Sequence, residues 1–142
     1  MSLTTNNRPP VPTKGIVGDC GSVNGKNPGI FEYRLVDIAT KRGILNYTIP
    51  GVSSNNIAEF LALVEGLKMT YDDPETKVYT DSLTALAWVR NRKMKTMITS
   101  FHPETMNRIT DAILFLKTQN YHPPHFWDHS IWPENYADYN RK

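Results

Sequence analysis

Three carboxylates lie where α/β proteins build their functional sites. Asp19 falls within the β-branched segment IVGDCGS, and Asp81 ends a second such segment, KVYTDS. An aspartate is disfavoured in a strand and is costly when buried without a partner, whereas the carboxyl ends of strands commonly carry sites. Glu59 lies in a helical segment at the margin of its apolar face, outside the polar stripe. If the two strands are neighbours and the helix packs over them, the three acids converge.

Converging carboxylates predict a divalent metal site. Like charges a few ångströms apart are unstable unless a cation lies between them. Carboxylate oxygens suit Mg²⁺ or Mn²⁺, and a chain with one cysteine and four histidines has no convincing cluster for zinc. Two such ions roughly 3.5–4 Å apart can clamp an in-line displacement at phosphorus. We therefore expect phosphoryl chemistry.

Each acid also has a purely structural interpretation. A first-turn glutamate complements the helix dipole, which would account for Glu59. Asp81 or Ser82 could cap the helix that follows the strand. Asp19 could be a turn aspartate ahead of glycine. The residues alone leave these alternatives open.

The elements that must position the acids have the order βββ-α-β-α-α-β-α. Alternation and turn residues predict strands, and apolar residues at helical spacing predict amphipathic helices. This order predicts an α/β domain with a five-stranded mixed sheet. The strands are predicted at 15–22, 30–40, 43–49, 77–82 and 121–129, and the helices at 53–68, 82–91 and 102–119, with a final turn or short helix after 132.

The apolar faces of the three helices should form the core. Two asparagines and a serine precede the first helix as candidate caps, and its water-facing stripe is predicted at Glu65 and Lys68. The predicted inward-facing residues are Ile57, Phe60, Leu63, Val64 and Leu67, then Leu83, Leu86 and Ala87, then Met106, Ile109, Ile113 and Leu116.

Length and composition favour one soluble domain. The polar, proline-rich residues 1–13 are predicted to be a disordered tail, ahead of a single domain at 14–142. No apolar run approaches the ~20 residues of a membrane span, and a lone Cys20 favours the reducing cytoplasm. The net charge is only +2, but RNRKMK at 90–95 concentrates four cations in a solvated loop or a nucleic-acid contact.

At these motifs the chain resembles the type 1 ribonuclease H family, over about residues 14–142. The matching pieces are GDCGS with NGKNPG, SSNNIAEFLALVEGL, VYTDSLTALAWVRN and WPENYADYNRK. The last resembles the short domains of Bacteroidetes-type bacteria, where a hybrid-binding domain often precedes the catalytic one; from this sequence no such domain is expected.

The resemblance implies catalytic and metal-binding roles for Asp19, Glu59, Asp81 and Asp138. Asp19 would bridge two Mg²⁺ ions, for which Mn²⁺ would substitute, and Asp138 would help to hold the ion that activates water. Glu59 and Asp81 would hold the other ion. The site residues implied for the substrate are Asn27, Asn55, Asn56 and Ser82 at the RNA minor groove, with Trp88 and the basic segment at the DNA strand.

Three features depart from the family pattern. His129, the candidate for the family's loop histidine, stands nine residues before Asp138, one fewer than usual. The chain ends four residues after Asp138, so the closing helix is expected to be truncated. The extra residue in DCGS is expected to shift the loop that carries Asn27.

The leading hypothesis is a monomeric, cytoplasmic endoribonuclease acting on RNA–DNA hybrids, with no membrane partner. It would cut the RNA strand and leave 3′-hydroxyl and 5′-phosphate ends. The alternatives are a catalytically silent hybrid-binding module and another nuclease of this fold, such as a 3′–5′ exonuclease. The presence of all four acids argues against the silent module, and the Asn-Asn pair favours ribose recognition over the exonuclease.

Overall fold

The computed structural model describes residues 10–133 and 136–137, and it confirms the predicted five-stranded mixed sheet. The strand order across the sheet is β3-β2-β1-β4-β5. The elements are β1 (Ile16–Ser22), β2 (Phe31–Asp37), β3 (Arg42–Thr48), α1 (Asn55–Met69), β4 (Val78–Thr80), α2 (Leu83–Asn91), α3 (Pro103–Thr118) and β5 (His125–Phe126).

β1 lies at the centre of the sheet and joins its two halves. It pairs with β2 in the antiparallel sense and with β4 in the parallel sense. β2 and β3 extend the antiparallel meander, and the two-residue β5 continues the parallel half beside β4. The carboxyl ends of β1 and β4 therefore lie next to each other, which is the arrangement that the acids require.

Ser54, rather than either asparagine, caps α1. Its side-chain oxygen accepts a hydrogen bond from the backbone N–H of Ile57 at 3.2 Å, while Asn55 and Asn56 form the first turn of the helix. The predicted capping role of the asparagines is therefore wrong. Their side chains are left for other contacts.

The larger core lies between one face of the sheet and the helices α1, α2 and α3, which cover that face. All five apolar residues predicted on α1 are buried in it. The predictions for the other two helices are confirmed in part. Ile109 and Leu116 are buried, and Leu86 and Ile113 are partly buried against this core. Leu83 and Met106 are exposed, contrary to the prediction. The buried face of α2 consists of Ala85 and Val89, and that of α3 of Thr105, Ile109, Ala112 and Leu116.

A smaller core covers the opposite face of the sheet. Trp127 is fully buried there against Tyr79 and Tyr136, and its indole N–H donates to the Pro133 carbonyl at 2.9 Å. None of the described residues after β5 is helical. Residues 134–135 and 138–142, and with them most of the predicted closing helix, lie outside the described residues.

The described chain starts within the predicted tail. Val11 packs against the smaller core, and residues 1–9 lie outside the described residues. Within the described range, no helix has the length and apolar character that crossing a membrane requires.

Candidate active site

Asp19 and Asp81 lie side by side at the carboxyl ends of the two central parallel strands. Gly18 of β1 is paired with Thr80 of β4, and each aspartate directly follows one of these residues. Both aspartates are half-buried. Two of the acids predicted from the sequence, 62 positions apart in the chain, are thus brought together by neighbouring strands.

Two glycines allow α1 to bring Glu59 over these strand ends. A Cβ at Gly18 would lie 3.5 Å from the Cβ of Ala62 and 2.9 Å from a methyl group of Leu35. A Cβ at Gly66 would lie 2.7 Å from a methyl group of Val78 on β4. Two small residues of α1, Ala62 and Gly66, therefore let the helix lie directly against β1 and β4.

Glu59 is buried among acids and lacks a compensating charge. Its residue surface is only 6% exposed, and Oε1 has no hydrogen-bond partner among the described residues. Burial, and then the negative charges of Asp19 and Asp81, raise the pKa of Glu59 from its ordinary value of 4.5 to about 10. Without a cation this carboxyl group holds a proton, which it can share with the neighbouring aspartates.

The donor set fits a hard divalent cation. One ligand atom each from Asp19, Cys20 and Glu59 lies within 4.8 Å of the other two. Burial raises the pKa of the Cys20 thiol above its ordinary range, and the charges of Glu59 and Asp19 raise it further, so this sulfur stays protonated. The carboxylates are therefore the groups that could hold such an ion, and their oxygens suit Mg²⁺ or Mn²⁺.

Ser82 caps α2, so Asp81 does not have to. The Ser82 side-chain oxygen accepts from the backbone N–H of Ala85 at 3.0 Å. The capping interpretation of Asp81 is thereby excluded, and its carboxylate instead faces Glu59.

The side chain of Asn27 contacts the backbone of Asn55 beside the acids. The side-chain oxygen of Asn27 accepts from the backbone N–H of Asn55 at 3.1 Å. Asn24 closes the intervening loop, since its side-chain oxygen accepts from the backbone N–H groups of Lys26 and Ile30. The extra residue in DCGS therefore does not separate Asn27 from α1.

Trp88 and the basic segment border the other side of the α1 amino terminus. The Trp88 ring packs edge-on against Phe60 with centroids 5.6 Å apart, so it belongs partly to the core. It also lines a cavity of about 310 Å³ that runs from Asn56 to Lys95 and Met97. Asn56 is exposed and points to this groove rather than to the acids.

A sequence model of RNase H matches residues 18–136. The chain belongs to the RNase H family. Family membership supports ribonuclease H activity, and hence a nuclease and a hydrolase. The matched stretch includes Asp19 of β1, Glu59 of α1 and Asp81, which directly follows β4.

This chain is similar to several solved RNase H structures at low sequence identity. The N-terminal RNase H domain of a Mycobacterium tuberculosis protein, solved as a fusion with maltose-binding protein, is 20% identical with a TM-score of 0.45, over 80% of this chain and 86% of that one. RNase H1 from Halobacterium salinarum is 17% identical with a TM-score of 0.46, over 80% of each chain. LC11-RNase H1, solved with an RNA/DNA hybrid, is 19% identical with a TM-score of 0.45, over 79% of this chain and 81% of that one.

His129, the predicted loop histidine of this RNase H, lies in an exposed turn after β5. The turn is built by Asp128, whose side chain accepts from the backbone N–H of Ser130 at 3.1 Å and whose backbone carbonyl accepts from Ile131 and Trp132. Among the described contacts, none joins His129 to the three acids. Its role in the site stays a prediction.

Asp138, the fourth predicted acid, lies outside the described residues, but the chain just before it is fixed to the sheet. Arg34 of β2 stands opposite Asp19 in the register, and its Nε donates to the backbone carbonyl of Ala137 at 2.7 Å. Ala137 is fully buried. Sequence reasoning missed Arg34, and a signal for it existed: a cation in β2 pairs in register with an acid in β1.

Cys20 is the second residue that sequence reasoning missed. The sequence suggests only a compartment from it, yet its sulfur lies near both the acids and Asn55. Its position directly after Asp19 in the same strand is the available signal.

Proposed function

We propose that this RNase H is an endonuclease that cuts the RNA strand of RNA–DNA hybrids and leaves 3′-hydroxyl and 5′-phosphate ends. The observation that carries the proposal is the buried Glu59 oxygen without a partner, in a carboxyl group that faces Asp19 and Asp81. A structural glutamate at this depth would have a cation or a donor beside it. An oxygen left unpaired among acids is explained by a metal ion that the site is built to receive.

Asp19, Glu59 and Asp81 would hold the metal, with Asp138 proposed as the fourth ligand. Two bound Mg²⁺ ions, or Mn²⁺ in their place, would supply an activated water and neutralise the charge that develops at phosphorus. The protein's own contribution is rigid placement, since two of the acids project from paired strands and the third from a helix in direct contact with them.

The substrate assignment rests on the polar groups beside the acids. Asn27, Asn55 and Ser82 offer amides and a hydroxyl, groups that hydrogen-bond to the ribose 2′-OH, which distinguishes RNA from DNA. On the other side, Trp88 and Lys95 line the groove next to Asn56. A cation and an aromatic ring there suit the phosphates and sugars of the second strand.

A substrate panel tests this function. The protein is incubated with labelled RNA–DNA hybrid, double-stranded RNA and double-stranded DNA, each with Mg²⁺, Mn²⁺ or EDTA. We expect cleavage of the hybrid's RNA strand only, with either metal and not with EDTA. A hybrid whose RNA is blocked at both ends separates internal cutting from exonuclease action.

Two variants on the same helix serve as matched controls. Glu59→Gln should stop cleavage, whereas Glu65→Gln, six positions further along α1, should retain it. Tight hybrid binding by the wild type without cleavage would support a silent binding module instead, and shortening of only unblocked ends would support the exonuclease.

A further inference from the structure

The Cys20 thiol contacts Asn55 through two oxygens. Its sulfur lies 3.3 Å from the side-chain oxygen of Asn55 and 3.6 Å from its backbone carbonyl. Both oxygens can only accept, so the S–H group is the donor. Glu59 also lies near the sulfur, but in the proposed function its oxygens hold the cation. The thiol proton therefore holds the Asn55 amide with its oxygen turned into the protein.

The side-chain amide of Asn27 has the same orientation, with its oxygen turned into the protein. Its side-chain oxygen is occupied by the backbone N–H of Asn55 at 3.1 Å. Within the described part of the chain, no group accepts from the NH₂ of either asparagine. Both residues are exposed at the surface beside the acids. Two amides thus present donors outward because their acceptors are engaged within the protein.

Ser82, directly after Asp81, contributes a third donor. Its oxygen accepts from the backbone N–H of Ala85, which leaves the hydroxyl proton available to an outside group. The outward-facing polar groups of these three residues are therefore hydrogen-bond donors.

We infer that Cys20 is a positioning residue that fixes the Asn55 amide so that Asn55, together with Asn27 and Ser82, recognises hydrogen-bond acceptors of the RNA strand. The inference rests on the proposed function and deepens it. The minor groove of a hybrid presents the 2′-oxygen of ribose together with N3 of purines and O2 of pyrimidines, and all of these accept. A deoxyribose lacks the 2′-oxygen, so a donor aimed at it is left unpaired against DNA.

The inference is tested by the ratio of two dissociation constants, one for DNA duplex and one for RNA–DNA hybrid of the same sequence. An Asp81→Asn background is used with Mg²⁺, so that cleavage does not disturb binding. Cys20→Ala releases the Asn55 amide, and we expect the ratio to fall about tenfold, the loss of roughly one hydrogen bond. Cys20→Ser retains a donor and should keep most of the discrimination.

Loss of folded protein changes both dissociation constants alike and leaves their ratio unchanged. A ratio that stays within about twofold in Cys20→Ala, while Asn55→Ala lowers it, would overturn the positioning role.

A second measurement is independent of nucleic acid. The side-chain NH₂ signals of Asn55 are identified by ¹⁵N NMR from their absence in Asn55→Asp. We expect them to shift in Cys20→Ala and to stay near their wild-type positions in Cys20→Ser. Unchanged signals in Cys20→Ala would overturn the inference even where the wild type cleaves hybrid. A wild type that binds hybrid and DNA equally would overturn the substrate assignment instead, whatever the NH₂ signals show.

Discussion

Glu59 and Glu65 lie on the same helix, six residues apart, in surroundings of opposite character. Glu65 accepts hydrogen bonds from Arg108 at 2.9 Å and from the buried Tyr33 hydroxyl at 3.2 Å. Glu59 faces Asp19 and Asp81 instead, and its Oε1 has no partner among the described residues. The more deeply buried of the two glutamates is thus the one whose charge the described residues leave uncompensated.

The comparison shows what distinguishes a structural acid from a functional one. Arg108 ties Glu65 to α3 and also lies 3.6 Å above the Tyr47 ring, so this cluster is complete within the protein. In the proposed function, a bound cation completes the cluster around Glu59. Variants on the two sides should therefore differ in what they lose: stability around Glu65, and function around Glu59.

The largest expected effect comes from the acids that face Glu59. Asp19→Asn should lower hybrid cleavage by more than about a thousandfold, over about 4 kcal/mol of activation barrier. Its melting temperature without metal should be unchanged or raised, because a like charge leaves a crowded site. Asp81→Asn should behave in the same way, since Ser82 caps α2 without it. Wild-type turnover in either purified variant would contradict the two-metal assignment.

The two glutamates themselves should respond to substitution with opposite signs. Glu59→Gln should stabilise the metal-free protein at pH 8 by about 1–3 kcal/mol. It removes a buried carboxyl group that faces other acids and that no cation among the described residues compensates. Glu65→Gln should destabilise by about 1 kcal/mol, because its pair with Arg108 is only partly buried. Urea unfolding in EDTA measures the free energy of unfolding of both variants. A change of the same sign in the two variants would refute the comparison.

The raised pKa of Glu59 predicts that the stability of the metal-free protein depends on pH. The pKa of Glu59 is raised to about 10 in the folded protein, so between about pH 4.5 and 10 the folded state binds more protons than the unfolded state. Metal-free stability should therefore fall as the pH rises through this window. Glu59→Gln should remove most of this slope, and addition of Mg²⁺ should oppose it in the wild type.

A smaller effect separates capping from substrate contact at the start of α1. Ser54→Ala removes the cap and should cost about 1 kcal/mol of stability, with the specific activity of the folded protein unchanged. Asn56→Ala should leave stability within about 0.5 kcal/mol, since the residue is exposed, and should weaken hybrid cleavage. Melting temperature measured beside specific activity distinguishes the two, and a stability loss in Asn56→Ala would contradict this division.

The smallest effect is expected at His129, which belongs to neither glutamate cluster. Because it lies in an exposed turn, His129→Ala should lower turnover by less than about tenfold, under 1.4 kcal/mol of barrier. Steady-state and single-turnover rates are compared in the same preparation. A hundredfold loss in steady-state turnover with single-turnover cleavage preserved would show that His129 acts in product release.

The sequence predicted what depends on local pattern. The order of the elements and the buried stripe of α1 followed from periodicity, and Asp19 and Asp81 were expected to meet if their strands were neighbours. The buried faces of α2 and α3 were predicted only in part: Ile109 and Leu116 are buried as expected, whereas Leu83 is exposed, because a short apolar stripe does not fix which side turns inward. Arg34 and Cys20 were missed because their importance depends on contacts with Ala137 and Asn55, 103 and 35 residues away.

The contact between Gly66 of α1 and Val78 of β4 has a consequence for the choice of ion. A Cβ at Gly66 would lie 2.7 Å from a methyl group of Val78, so the helix approaches the sheet through its backbone rather than through a side chain that can adjust. Mg²⁺ binds oxygen at about 2.0–2.1 Å, and Ca²⁺ at about 2.3–2.6 Å with more ligands. In the proposed function, acids held at a fixed spacing would accommodate the smaller ion and resist the expansion that the larger one requires. Selectivity for ionic radius would then depend on how closely α1 approaches β4, and one added methyl group at Gly66 would change it.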